Sequence, residues 1–188
     1  MRTLRVAAAV VASVAVLAGC SSGEQANETL PSSSTSASAE PTATLPPIGP
    51  ADFPMPVEAR EKTKAGAEAF LDYYFAVRER TTEGESIREL IRGCQVCNFL
   101  ADQRDSDSAS GYVSTGGESS ITVLDSFVQD DKANVIFTIT AAPVTVVDAA
   151  GAPVPDRGDP GTTNQELDSF MVWDDARVTW LMTEFGAR

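Results

Sequence analysis

The clearest candidate for chemistry in this sequence is a pair of cysteines separated by two residues, Cys94 and Cys97. A redox pair at the start of a helix would have a thiol pKa lowered by the helix dipole. A disulfide here would instead be a structural staple, and a zinc site would need further ligands beside two thiolates. A thioredoxin-like site requires a βαβ setting, whereas here a helix is predicted before the motif, so we favour the staple.

The chain contains no histidine. This excludes Ser-His-Asp and Cys-His catalysis, histidine-ligated zinc and the usual proton shuttle at neutral pH. The paired acids at 130–131 and 174–175 lie at predicted hairpin turns, where Asp is favoured because its side chain bonds the backbone. We therefore predict no catalytic residue, no metal and no cofactor.

The N-terminal segment has the composition of a secretory signal peptide. Arg2 and Arg5 make its start basic, and residues 6–16 are apolar apart from Ser13. This stretch is too short to span a bilayer, which takes about 20 apolar residues. It also lacks the polar face of a core helix. Residues 1–19 are therefore predicted to be removed on export.

The signal segment ends in Leu17-Ala18-Gly19-Cys20, which resembles the bacterial lipobox. The resemblance implies cleavage after Gly19, a diacylglyceryl thioether on Cys20 and acylation, as with palmitate, of the new amino group. Two or more lipid chains anchor a protein stably, so the expected location is the outer face of the cytoplasmic membrane. Cys94 and Cys97 then remain as the thiols of an exported protein, and they are predicted to pair with each other.

The chain left after cleavage is strongly acidic. Loss of residues 1–19 removes Arg2 and Arg5 and no acid, so 12 Lys and Arg stand against 27 Asp and Glu, a formal charge of −15. Such a surface repels nucleic-acid phosphates and anionic lipid headgroups. Nucleic acid is therefore not expected as a partner, and the lipid on Cys20 has to anchor the chain without a basic patch.

Residues 20–56 form a low-complexity region after the lipidated cysteine. Ser, Thr and Pro make up half of residues 21–56. This composition does not bury enough apolar surface to offset the entropy lost on ordering, which predicts a disordered tether. As a flexible coil it would span about 30 Å root-mean-square. The remaining residues, 57–188, have the size of one domain with one core.

Helical periodicity dominates the start of this domain. Between Thr63 and Arg80, apolar residues recur at positions 67, 70, 71, 74 and 77, which predicts a helix capped by Thr63. Arg78 is assigned to its polar side with Glu68 and Asp72. A short helix is predicted from Ser86 to Gly93, and a third from Cys94 or Gln95 to about Arg104. Residues 105–117 are assigned to a polar loop.

From Ser120 onward, apolar residues alternate with a period of two, which predicts strands. The expected elements are a hairpin around the turn at 129–132, a strand at Val144–Val147, and a last hairpin of Leu167–Trp173 and Val178–Phe185. Trp173 and Trp180 would face each other across that hairpin. Helices followed by strands predict an α+β fold, with N-terminal helices packed on an antiparallel sheet of about four to five strands.

Several motifs together resemble an actinobacterial lipoprotein family of unknown function. They are a proline-rich approach to Met55-Pro56, the sequence Gly66-Ala67-x-Ala69-Phe70 followed by Tyr73-Tyr74, and Leu90 before Cys94-x-x-Cys97. The resemblance covers residues 54–188. It implies a cone-shaped domain like that of nuclear transport factor 2, with helices on a curved sheet, and it implies no reaction.

Cones of this type sometimes enclose a pocket in which a Tyr or Asp acts on a small ligand. By that resemblance, Asp72, Tyr74, Asp102 and Trp180 are candidate pocket residues, although aromatic residues at helical spacing are usually core. We predict a non-enzymatic binding or accessory module of the cell envelope, whose partner is an envelope protein or a small molecule. The alternatives are a small-molecule enzyme with a carboxylate or tyrosine acid-base in the cone, and thiol–disulfide exchange at Cys94 and Cys97.

Overall fold

The structure, a computed structural model, describes residues 45–188 of the chain. The predicted signal peptide, the lipidation site at Cys20 and residues 20–44 of the predicted tether lie outside this range. None of the helices within it combines the length and hydropathy needed to cross a membrane. In chain order, the elements are α1 (Lys64–Arg80), α2 (Gly84–Arg88), α3 (Gln95–Ala109), β1 (Val113–Gly116), β2 (Ser119–Gln129), β3 (Lys132–Ala141), β4 (Val144–Val147), β5 (Thr162–Asp174) and β6 (Thr179–Ala187).

Helix α1 begins where the sequence predicts it. The Thr63 hydroxyl accepts a hydrogen bond from the Gly66 backbone N–H at 3.0 Å and so caps the helix. Position 66 has to be glycine, because a Cβ there would clash with the Glu61 carbonyl oxygen. The predicted apolar stripe is fully buried in the core at Ala67, Phe70, Leu71, Tyr74 and Val77.

The strands form two antiparallel sheets, and helices followed by such sheets confirm the predicted α+β fold class. The larger sheet has the order β2-β3-β5-β6, and Val135 and Phe137 of β3 share the core with α1. Strands β1 and β4 pair separately, so the predicted strand at Val144–Val147 exists but does not extend the larger sheet. Register shifts at Val123/Asp125, Ile139/Ala141 and Phe170/Met171 mark bulges, which bend a sheet and increase its twist.

The second and third helices differ from the prediction at their ends. Helix α2 begins at Gly84 and not after Ser86. The Gly84 backbone N–H donates to the Asp105 carboxylate at 2.7 Å. It ends at Arg88, and residues 90–92 lie beside β6 instead, where the Arg92 N–H donates to the Met182 carbonyl oxygen at 2.8 Å. Helix α3 continues past Arg104 to Ala109, because ion pairs of Asp105 and Asp107 hold its polar last turn. The predicted loop 105–117 therefore contains the end of α3 and strand β1.

Residues 45–56, here named the strap, pack on the domain. The folded unit thus begins before the predicted boundary at Val57. Ile48 and Met55 are buried in the core. Phe53 stacks on Tyr73 with ring centroids 5.4 Å apart. The proline-rich composition predicted disorder here, but these apolar side chains provide enough contact surface to dock the segment.

Arg60 ties the strap to the turn between β5 and β6. Its guanidinium donates to the carbonyl oxygens of Pro46 at 2.7 Å, Arg177 at 2.6 Å and Val178 at 3.2 Å. Burial lowers the pKa of Arg60, and the neighbouring Arg177 lowers it further. Within residues 45–188 no carboxylate lies at ion-pair distance from Arg60. Three backbone oxygens therefore replace water around this charge.

We expect Arg60→Met to lower the free energy of unfolding by about 2–3 kcal/mol, because three hydrogen bonds from a charged group are lost and partly buried carbonyl oxygens are left unpaired. Urea denaturation followed by tryptophan fluorescence measures the change. Arg188→Met is the matched control, since Arg188 is half exposed and its pair with Glu166 lies at the surface. Equal losses in the two variants would contradict the role assigned to Arg60.

Candidate functional site

An open cleft of about 570 Å³ lies among the end of α1, helix α3, the β1–β4 sheet and the loop at 158–162. Its volume is in the range of small-molecule sites. The charged lining residues are two arginines, Arg78 and Arg104, and three acids, Glu79, Asp107 and Asp159. The apolar lining is formed by Phe75, Ile87, Leu100, Ile139, Val144, Val146, Leu167 and Phe185.

One wall of the cleft is built by strand pairing. Ser114 of β1 lies opposite Val146 of β4, and both line the cleft. Val144 exchanges backbone hydrogen bonds with Asp159, at 2.8 and 3.1 Å, which fixes the 158–162 loop against β4. Gly158 allows this approach, because a Cβ there would clash with the Val144 carbonyl oxygen.

Arg78 lies on the last turns of α1 with its guanidinium over aromatic rings. Its Cζ is 5.1 Å from the ring centroid of Phe75, 5.5 Å from that of Phe185 and 5.9 Å from that of Tyr74. These cation–π contacts hold the guanidinium in place but do not neutralise its charge. In the described part of the chain, Arg78 has no carboxylate at ion-pair distance.

Arg104 of α3 lies beside Arg78. Its Nη2 donates at 3.1 Å to the Arg78 carbonyl oxygen, in the last turn of α1 where carbonyl groups run out of helical partners. Burial lowers the pKa of Arg104. Burial also lowers the pKa of Arg78; Tyr74 and Glu79 act in the opposite direction, and the adjacent charge of Arg104 lowers it further. From Leu45 to the C-terminus, no acid lies at ion-pair distance from Arg104 either, so neither arginine of the cleft has a direct carboxylate partner.

The three acids of the cleft bond to other groups. The Glu79 carboxylate accepts hydrogen bonds from the Ser119 backbone at 2.9 Å and from the Ser119 hydroxyl. Asp107 forms an ion pair with Arg157. The Asp159 carboxylate accepts a bond from the Gly161 backbone at 2.7 Å. None of them is a direct partner of the two cleft arginines.

The predicted pocket residues do not meet in the cleft, and none of the four lines it. Asp72 lies on the exposed side of α1, where partial desolvation and the charge of Glu68 raise its pKa. Asp102 is exposed on α3 and pairs with Arg88 at 2.6 Å. The resemblance to cone-shaped domains suggested that the four meet in one pocket, whereas the α1 residues that line the cleft are Phe75, Arg78 and Glu79.

Tyr74 and Trp180, the other two predicted pocket residues, belong to the core. The Tyr74 hydroxyl is buried without a hydrogen-bond partner in residues 45–188, and burial raises its pKa to about 12. The Trp180 Nε1–H donates to the Glu61 carbonyl oxygen at 2.9 Å. Its ring packs edge-on against Trp173, its direct cross-strand partner, with centroids 5.2 Å apart.

Cys94 and Cys97 lie at disulfide distance, with Cα atoms 5.2 Å apart. Cys94 also caps α3, because its sulfur accepts a hydrogen bond from the Cys97 backbone at 3.2 Å. Both residues are fully buried. Thiol–disulfide exchange requires access to a sulfur, so this burial favours the staple over the redox interpretation.

The sequence patterns did not single out Arg78 or Arg104. Arg78 was assigned to the polar side of its helix, and this assignment was wrong, since the guanidinium lies over the core rings of Tyr74 and Phe75 and the partly buried ring of Phe185. The spacing of Leu71, Tyr74 and Arg78 continues the apolar stripe, and that signal could have placed it. Nothing in the local sequence marks Arg104, because its contact on α1 is distant along the chain.

Comparison with solved structures finds likenesses of fold. The intermembrane space region of the chloroplast protein ARC6 matches with a TM-score of 0.50 at 14% identity, over 66% of this chain and 95% of that chain. A variant of Rd1NTF2_05 matches with a TM-score of 0.42 at 9% identity, over 65% and 96% of the two chains. A protein from Thiobacillus denitrificans described as a calcium/calmodulin-dependent protein kinase type II association domain matches with a TM-score of 0.41 at 13% identity, over 64% and 91%.

Identities this low concern the fold alone. No family model matches the chain, and none of the curated proteins matches it in sequence. The resemblance to an actinobacterial lipoprotein family therefore stays a prediction.

Replacing both Cys94 and Cys97 by Ser is expected to lower the free energy of unfolding by about 2 kcal/mol, the chain-entropy contribution of so short a loop. Serine at position 94 keeps an acceptor at the N-cap of α3, so the loss reports the cross-link. Urea denaturation measures it, and reduced wild type is the control that should match the double variant. Iodoacetamide labelling of both cysteines in the native, non-reduced chain would rule out the staple.

Proposed function

We propose that this chain is a cell-envelope lipoprotein whose folded unit is a non-enzymatic binding module for a small molecule. The open cleft carries the proposal, because it combines apolar walls with Arg78 and Arg104. A partly desolvated charge without a partner is unfavourable. Selection for stability alone favours pairing such charges or leaving them in water, so a ligand is the simplest reason to keep both in a cleft.

Binding suits the groups in the cleft better than catalysis does. General acid–base chemistry needs a group that titrates near the working pH within reach of the ligand. The Tyr74 hydroxyl is enclosed in the core with a pKa of about 12, and the chain contains no histidine. The carboxylates of Glu79 and Asp107 are already bonded to Ser119 and Arg157. These features support a module that holds its ligand without transforming it.

The lipid anchor rests on the sequence Leu17-Ala18-Gly19-Cys20. It would hold the module at the outer face of the cytoplasmic membrane. Residues 21–44 would then connect the lipid to the strap, and fully extended they reach at most about 80 Å. A tether of this length would let the cleft sample ligands well above the lipid headgroups.

Filling the cleft should abolish ligand binding. The uncharged fluorescent probe N-phenyl-1-naphthylamine is expected to brighten with wild type and to lose this response with Ser114→Trp, which places an indole in the cleft. Thr115→Trp is the matched control, because adjacent residues of a strand point to opposite faces and Thr115 is exposed. Absence of probe binding to wild type, or equal binding to both variants, would contradict the proposal.

The anchor has a separate test. Cys20→Ser should prevent lipid attachment and leave residues 1–19 uncleaved, because the thioether needs the cysteine sulfur. Metabolic labelling with palmitate and mass spectrometry of the N-terminus measure both outcomes. Cys94→Ser serves as the control and should be lipidated and cleaved like wild type. Labelling and cleavage of Cys20→Ser at wild-type levels would exclude lipidation at this residue.

A further inference from the structure

We infer that the cleft binds a small amphipathic carboxylate, with the anionic head held by Arg78 and Arg104 and the apolar part against the opposite walls. The inference rests on the proposed binding function and specifies its ligand class. It is carried by the presence of two arginines without ion-pair partners in one cleft and by the apolar and acidic residues that line it with them.

The two arginines are close enough to repel each other. Arg104 donates to the backbone carbonyl of Arg78 at 3.1 Å, which holds its guanidinium against the last turn of α1, and both arginines line the cleft. The described residues offer neither of them an acid at ion-pair distance. An anion placed between them would be attracted to both and would offset their mutual repulsion, and in a partly desolvated cleft this attraction is stronger than in water.

Donor groups remain free for such an anion. A guanidinium has five N–H donors in a planar fork that matches a carboxylate. Arg104 uses Nη2 on a carbonyl, and Arg78 makes cation–π contacts in place of hydrogen bonds. The buried, unpartnered polar side-chain atoms of residues 45–188 are the Tyr74 hydroxyl and Arg157 Nε, so the Arg78 nitrogens keep some exposure, and Arg78 lines the cleft.

The remaining lining limits the ligand to a single negative charge with an apolar part. Glu79, Asp107 and Asp159 also line the cleft and would repel a dianion such as a phosphate monoester. Ile139, Leu167 and Phe185 offer an apolar surface that a purely polar anion would leave unused. A monocarboxylate with a hydrocarbon or aromatic body fits both conditions.

Competition against N-phenyl-1-naphthylamine tests the inference with two probes of equal chain length, octanoate and 1-octanol. The protein used is the chain from residue 20 onward with Cys20→Ser. It keeps the whole core, because the first core residue along the chain is Ile48. Octanoate is expected to displace the probe at a concentration about tenfold lower than octanol, the size of effect typical of a charge-assisted hydrogen bond. Arg78→Met and Arg104→Met should each remove this preference.

The control variant Arg188→Met loses the same charge outside the cleft and should keep the preference for octanoate. Binding of the uncharged probe should persist in all three variants, which separates loss of the anion site from loss of the cleft. If the probe binds but octanoate and octanol compete equally, or if the preference survives both cleft variants, the carboxylate inference fails and the binding proposal stands. If Arg78→Met does not fold, the two-probe comparison on wild type and Arg104→Met still decides the question.

Discussion

The packing of α1 on the larger sheet is the contact on which the rest of the structure depends. Phe70, Leu71 and Tyr74 are fully buried there with Phe137 of β3. Burying each such side chain stabilises the fold by about 1.5–3 kcal/mol. The strap docks on α1 through Tyr73, and α3 reaches its last turn through Arg104. Displacing α1 would therefore disturb the strap, the cleft and the position of Arg78 together.

Partly buried arginines in an acidic chain are satisfied here in two different ways. Arg60 donates to three carbonyl oxygens, so each of its three side-chain nitrogens has a protein partner. Arg78 has aromatic rings beneath it, and its nitrogens have no acceptor in the described part of the chain. Burial alone does not distinguish a structural arginine from a functional one. The two kinds differ in whether the protein supplies hydrogen-bond acceptors for the guanidinium nitrogens, because nitrogens without an acceptor can bind a ligand.

Local patterns in the sequence were sufficient for the regular elements and insufficient for the cleft. The cap at Thr63, the stripe on α1 and the alternation in β3 arise from neighbouring residues, and they predicted the α+β fold correctly. The two-stranded sheet of β1 and β4 was not foreseen, because Val113 and Val147 pair across a long stretch of chain. The cleft depends on that pairing and on the contact between Arg104 and α1. Neither leaves a periodic signal.

The strap was missed for a compositional reason. Its prolines and small residues are typical of disordered segments, and the three apolar residues that dock it, Ile48, Phe53 and Met55, are a small minority. A composition average hides them. The strap docks because each of these side chains packs on a specific surface of the domain, as Phe53 does on the ring of Tyr73.

The bulge at Val123/Asp125 has a consequence for self-association. Strand β2 is an outer strand of the larger sheet, and an edge of this kind can pair with a second copy of the same chain. The Asp125 carboxylate accepts a hydrogen bond from the Ser126 N–H at 2.8 Å, so a negative charge stands on this strand beside the bulge. A bulge and a charged side chain together make such an edge a poor template for strand-to-strand aggregation.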